Sequence, residues 1–263
     1  MKIPIYQVDA FTDQVFGGNP AAVCPLESWL PTETMQKIAM ENSVAETAFF
    51  IPLEHGFHIR WFTPEFEMDL CGHATLASAH VLASHLGYKN LKIKFQSNSG
   101  ELFVLTDGNL LTLDFPSRMP VPAEAPQIIL DGIMEKPLEV LKARDYVLVY
   151  EDEETIRRIQ PNVGLLNQIN IDPGGIIVTA PGRDVDFVSR FFTPQASIFE
   201  DPVTGSAHCS LIPFWAERLG KNDLTALQIS PRIGKLSCKN AGERVFMSGN
   251  AVTYLEGFII IPG

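Results

Sequence analysis

The sequence is short of charge, and shorter still of positive charge. Only 19% of its 263 residues are charged while 46% are apolar, a balance that excludes a disordered chain and allows a sizeable buried core. Twenty Lys and Arg stand against 31 Asp and Glu, for a net charge of −11 at pH 7, and no run of basic residues occurs. This excludes a nucleic-acid partner, because affinity for phosphates rests on clustered cations. Four cysteines, at 24, 71, 209 and 238, form no CxxC pair and no Cys/His cluster of zinc spacing. The expectation is reduced thiols in a cytoplasmic protein. No apolar stretch reaches the roughly 18 residues that a membrane span needs, and Asp9 and Asp13 fall too early for a secretory leader. GxGxxG, GxxxxGK[ST] and GxSxG are all missing, so no nucleotide loop or hydrolase elbow is indicated.

What the chain does contain is mostly strand signal. Apolar, β-branched and aromatic runs predict strands over 3–8, 47–51, 57–62, 91–95, 101–105 and 110–115, with Asp107-Gly108-Asn109 as a hairpin turn. Helices are predicted over about 32–42 and from Cys71-Gly72 to about Leu86. Residues 116–126 hold four prolines and read as a linker, which divides the chain into an N-terminal lobe (1–115) and a C-terminal lobe (127–263). In the second part, strands are predicted over 146–150, 175–179, 186–192, 226–230, 234–238, 244–248 and 251–261. Helices are predicted over 153–159 and 205–219, and the extreme C-terminal strand is a candidate to pair with the N-terminal lobe.

A repeat joins the halves. Arg60-Trp61-Phe62-Thr63-Pro64 recurs 130 residues later as Arg190-Phe191-Phe192-Thr193-Pro194. Cys71-Gly72-His73-Ala74 then corresponds to Thr204-Gly205-Ser206-Ala207 at an offset of 133, so the second copy carries three extra residues. One repeat of half the chain signals a duplicated domain, against the alternative that a β-α fold simply reuses Phe-Thr-Pro as a strand-end signal. Each copy places a glycine turn at a helix start, where backbone N–H groups and the helix dipole favour an anion.

Candidate chemical groups gather at these turns. Glu200 to His208 packs two carboxylates, a proline and two hydroxyls before an apolar helix, and Thr204 or Ser206 can cap it. A well-made helix start is the alternative reading, although capping does not need all of these groups. In the first copy, His73 at a helix N-terminus is expected to be neutral, and Cys71 at the same turn to have a lowered pKa; simple packing of both is the alternative. Glu46, placed before an apolar strand, is a candidate acid/base, against the alternative of a surface charge at a helix exit. Gly17 to Val23 reads as a tight loop that can offer backbone donors. No set of histidines has metal-ligand spacing, and no lysine stands out as a Schiff-base former.

Val8-Asp9-Ala10-Phe11-Thr12 with Gly18-Asn19-Pro20, then Glu46, Asp69-Leu70-Cys71-Gly72-His73-Ala74-Thr75, and Glu200-Asp201-Pro202-Val203-Thr204-Gly205-Ser206-Ala207-His208, resemble in order the phenazine-biosynthesis isomerase family (PhzF-like). The resemblance implies an α+β, diaminopimelate-epimerase-like fold, with two similar lobes, each a barrel-like sheet around a central helix, and the site in the cleft between them. It implies a cofactor-free, metal-free homodimer acting on a small carboxylate-bearing molecule. The residue matching Glu46 would shuttle a proton between carbons. Those matching His73, Asp201 and Ser206 would bind substrate, helped by the turns at Gly18-Asn19, Gly72 and Gly205. Cysteine-dependent epimerases of similar fold place one thiol in each lobe. Here Cys71 holds the first position and Thr204 the second, which leaves a Cys71-dependent epimerase or dehydratase as the alternative and a non-enzymatic ligand-binding protein as a third.

Overall fold

The computed structural model describes residues 1–171 and 174–261. Alternation read along the sequence becomes strand geometry: along Gly234–Ala241 buried and exposed side chains alternate, as a pleated strand with one face on the core requires. In chain order the elements are β1 (Lys2–Ala10), β2 (Asn19–Pro25), α1 (Thr32–Asn42), β3 (Glu46–Leu53), β4 (Gly56–Phe62), β5 (Glu67–Met68), α2 (Gly72–Ser84), β6 (Lys92–Ser97), β7 (Gly100–Asp107) and β8 (Leu110–Pro116). There follow β9 (Val121–Pro122), α3 (Gln127–Ile133), β10 (Glu139–Lys142), β11 (Tyr146–Val149), α4 (Glu153–Arg158), α5 (Val163–Leu166), β12 (Ile176–Pro181), β13 (Phe187–Phe192), β14 (Glu200–Asp201), α6 (Gly205–Leu219), β15 (Asp223–Gln228), β16 (Gly234–Ala241), β17 (Arg244–Gly249) and β18 (Ala251–Ile260). The chain is thus α+β and dominated by strands. No helix among the described residues is long and apolar enough to cross a membrane.

Two compact units are present, Met1–Asp114 with Ser248–Gly263, and Phe115–Met247. In the first, β1 pairs antiparallel with β18 and β2, β2 runs parallel to β3, β3 is antiparallel to β4, β4 is parallel to β6, and β6 is antiparallel to β7. The second repeats this order of senses: β10–β11 antiparallel, β11–β12 parallel, β12–β13 antiparallel, β13–β15 parallel, β15–β16 antiparallel. Short strands β5 and β14 dock on β4 and β13 in the same places.

The repeated pentapeptide has a physical task. Arg60 forks onto Glu67 with Nε–Oε1 at 2.7 Å and Nη2–Oε2 at 2.6 Å, and Arg190 forks onto Glu200 with both distances at 2.8 Å. In each unit this bidentate pair ties β4 or β13 across the Thr-Pro loop to the strand that leads into the central helix. Thr63 and Thr193 close that loop through backbone and hydroxyl bonds to Phe66 and Phe199. Arg60 to Glu67 spans seven residues and Arg190 to Glu200 spans ten, so the three extra residues lie inside the second loop.

Helices α2 and α6 are apolar nearly all round, the pattern of a helix covered on every side. His73 to Ala79 are all buried, and α2 packs on β1, β2, β3, β7 and β18. α6 buries Ala207 to Ala216 without a break. Pro213 inside α6 cannot donate to the Cys209 carbonyl one turn earlier; the Arg118 backbone N–H takes that acceptor instead, at 2.9 Å.

Two sequence expectations need correction. The stretch from Gly17 to Val23 is not a loop throughout, since Asn19–Pro25 forms β2. Pro20 is compatible with this because the pairing to β3 starts only at Ala21, so its missing N–H removes no bond on that side. The strand expected over 226–230 begins earlier, at Asp223, and ends at Gln228.

Candidate active site

In the first unit four of the expected residues meet. β3 begins at Glu46, paired in register with Ala21 of β2, and β2 begins at Asn19. Helix α2 begins at Gly72, with Cys71 as its extended N-cap residue (φ −138°, ψ 115°). These starts place His73 between Glu46 and Cys71. Its Nε2 lies 3.0 Å from Glu46 Oε2, and its Nδ1 lies 3.1 Å from the Asn19 side-chain nitrogen and 3.6 Å from Cys71 Sγ. The Glu46 side chain is 14% exposed and that of His73 5%, so Glu46 is not the surface charge that a helix exit would leave. The close Glu46–His73 approach is not in line as a hydrogen bond, and among the described residues neither Oε2 nor Nε2 has another partner.

Burial sets the electrostatics. It pushes the Cys71 thiol up, the Glu46 charge adds to this, and the nearby imidazole works the other way without prevailing. For His73, burial disfavours the cation, but the Cys71 sulfur and the Glu46 carboxylate outweigh it and hold the imidazole well above the ordinary histidine range. Both expectations from the helix dipole, a neutral His73 and an acidic Cys71, are therefore reversed. The dipole acts on the outside of a helix start, whereas these groups are enclosed and coupled to a carboxylate.

Glu46, Cys71 and His73 present donor atoms within 4.8 Å of one another, close enough to consider a metal ion. The imidazole, however, turns one nitrogen to the sulfur and the other to the carboxylate. The ring thus stands between them, an arrangement that suits a proton-linked chain better than a shared ion.

Gly18 adjoins this cluster in a left-handed conformation (φ 56°), where an added Cβ would stand 2.0 Å from the Ala10 carbonyl oxygen. Its requirement is steric. Gly72 is the first residue of α2 and half-buried.

The second unit builds the matching turn from different groups. Thr204 is the extended N-cap residue of α6 (φ −116°, ψ 105°), but its hydroxyl does not cap the helix; it donates to Asp201 Oδ2 at 2.6 Å. Gln228 on β15, which sequence reading missed, is fully buried and clamps the turn. Its Oε1 accepts from the Thr204 backbone N–H at 2.9 Å and its Nε2 donates to the Asp201 carbonyl at 2.6 Å. The one available signal was a lone amide among the apolar residues of Ala226-Leu227-Gln228-Ile229. Gly205 is buried and Ser206 half-buried at the first turn. One turn on, the helices correspond again: Thr75 Oγ1 donates to the Cys71 carbonyl at 2.5 Å, and His208 Nδ1 to the Thr204 carbonyl at 2.8 Å.

Comparison with known proteins agrees with this architecture. The family model described as phenazine biosynthesis-like protein matches residues 8–257. A Pseudomonas aeruginosa protein named as an uncharacterized isomerase is 48% identical, with 98% of each chain covered. A crystal structure of a PhzF-family protein from Enterococcus faecalis superposes with a TM-score of 0.95 at 44% identity, covering 99% of this chain and 100% of that one. A hydroxyproline epimerase from Agrobacterium vitis shares the fold alone, with a TM-score of 0.61 at 10% identity and coverage of 98% and 92%. With a family match across nearly its whole length and relatives named as isomerases at close to half identity, the chain belongs to the phenazine biosynthesis-like (PhzC-PhzF) family.

Proposed function

We propose that this protein is a cofactor-independent isomerase that moves a proton between carbons of a small carboxylate-bearing metabolite, with Glu46 as the single acid/base. The observation that carries this reading is the enclosed Glu46–His73 pair, 3.0 Å apart, with buried oxygen and nitrogen atoms left for a third group. Glu46 takes a proton from one carbon, the electron pair shifts along the substrate, and the same carboxyl returns the proton to the other carbon. No atom is gained or lost and no electron leaves, so the balance needs neither nicotinamide nor flavin. Exclusion of water keeps the proton on the carboxyl between the two steps. Asp201, Gly205 and Ser206, together with the helix N–H groups at Gly72 and His73, are the proposed substrate contacts, through donors aimed at developing negative charge.

The alternative, an epimerase or dehydratase driven by Cys71, is supported by the position of that thiol at the helix start. It is disfavoured by the burial and carboxylate that hold the thiol protonated. Deuterium incorporation at a substrate carbon in D2O, followed by mass spectrometry over a panel of amino and hydroxy acids, separates the readings. Glu46→Gln is expected to lower exchange by roughly 10²-fold or more, and Cys71→Ala to leave it within about tenfold. The reverse ranking would refute the Glu46 reading, and no exchange with any bound compound would favour a binding protein.

A further inference from the structure

We propose that Asn19 is a positioning residue that fixes the tautomer of His73, keeping the ring proton on Nε2, where it faces Glu46. The inference rests on the reading of Glu46 as acid/base. Asn19 is fully buried, so its side chain meets its neighbours rather than solvent, and its amide nitrogen stands 3.1 Å from His73 Nδ1. An amide N–H can only donate, so in the neutral ring Nδ1 accepts and the proton sits on Nε2. Cys71 agrees with this. As a thiol 3.6 Å from Nδ1 it is a second donor toward the same lone pair.

Turning Asn19 would set its carbonyl oxygen against Nδ1 and require a proton there. A neutral ring would then present the lone pair of Nε2 to Glu46 Oε2 at 3.0 Å, two electron-rich atoms in contact with no proton between them. Such a state survives only if Glu46 is protonated, and a protonated Glu46 cannot begin a reaction as a base. With Asn19 donating to Nδ1, the ring nitrogen 3.0 Å from Glu46 carries the proton of the neutral ring; in the imidazolium Nδ1 is protonated as well, and the amide must present its oxygen there instead. The carboxylate therefore meets a donor whichever charge the ring carries. Asn19 thus acts through His73 rather than by contact with substrate.

The test needs no substrate. Protein labelled with 15N in its histidine rings is titrated by NMR, with His73 assigned by its loss in His73→Gln. Expected in wild type, once the ring is neutral, is a bare Nδ1 and a protonated Nε2. Asn19→Asp, whose carboxylate can only accept, is expected to reverse this to a protonated Nδ1, or to hold the imidazolium to higher pH. Asn19→Leu is expected to leave a mixture of the two tautomers, and Cys71→Ala to keep the wild-type pattern. A wild-type neutral ring protonated on Nδ1, or a tautomer unchanged in both Asn19 variants, overturns the proposal. The wild-type measurement decides even where a variant fails to fold. Because the readout is the ring itself, a failure here is distinct from failure of Glu46→Gln to abolish exchange.

Discussion

The Arg190–Glu200 fork allows a quantitative test of what holds the second unit's turn in place. Arg190 is 8% exposed and makes four side-chain bonds: two to Glu200, and two from Nη1 to the carbonyls of Ile156 and Ile159 at 3.1 and 2.7 Å. Arg190→Met would keep most of the volume and remove all four. The carboxylate of Glu200, only 17% exposed, would lose its partner, and two carbonyls at the end of α4 would lose their donor. Breaking a buried pair on one side costs about 3–5 kcal/mol. Glu200→Gln still accepts one bond, and roughly 2 kcal/mol is expected. The double variant leaves no isolated charge, so it should cost less than the sum of the singles, with a coupling of roughly 2 kcal/mol. Trp215 lies in this unit and Trp29 and Trp61 in the other, so urea unfolding followed by Trp215 fluorescence in a Trp29→Phe, Trp61→Phe background reports the right transition. A loss below about 1 kcal/mol for Arg190→Met, or strict additivity in the double variant, would refute this account of the repeated pentapeptide.

Acid should loosen the second unit through His208, which burial pushes down to about 4 from an ordinary 6.5. The unfolded chain takes that proton first as pH falls, so stability is lost from about pH 6.5 downward and levels off near 4, by up to about 3 kcal/mol. His208→Gln should flatten the fall in urea midpoint between pH 7.5 and 5, and an unchanged slope would count against it. His80, also pushed to about 4 by burial and by His85, acts in the same direction in the first unit. Gly18→Ala should destabilise the first unit by roughly 3 kcal/mol, from left-handed strain and a carbonyl clash. Thermal unfolding checks it, and a stable variant with weakened ligand binding would show a binding role instead.

What the sequence disclosed and what it hid follow from the range of the interactions. α1 and α6 were legible with nearly their observed bounds, because Pro31 marks the start of the one and Gly220 the end of the other. Arg60 and Arg190 stood out because a fork onto a carboxylate needs that side chain and tolerates no near relative. β2 was hidden because the turn at Gly17-Gly18 stands directly before it and Pro20 carries a turn signal inside it. The site was legible as residue types at helix starts, but not as contacts: Glu46 and His73 are 27 positions apart, Asn19 and His73 are 54 apart, and Gln228 reaches back to Asp201 across the whole of α6. The charge states were misjudged for the same reason, since enclosure beside a carboxylate is a tertiary property.

Divergence between the two copies bears on the reaction itself. Cys71 corresponds to Thr204, His73 to Ser206 and Met68 to Asp201, while Glu46 at the start of β3 corresponds to Gly175 just before β12, which offers no carboxylate. A racemase that removes a proton from one face and supplies another from the opposite face needs matching bases in the two copies, and the positions matching Glu46 and Cys71 in the second copy, Gly175 and Thr204, hold neither a carboxylate nor a thiol. On the proposed reading, a single shielded carboxyl returns the proton it took, on the face from which it took it, unless exchange with water intervenes. A substrate deuterated at the acidic carbon and turned over in H2O should then retain part of its label at the new carbon. Retention is read as product mass after a single turnover, before washout accumulates. Complete loss of label together with inversion at carbon would require a second base, and would transfer the chemistry from Glu46 to a pair of groups that includes Cys71.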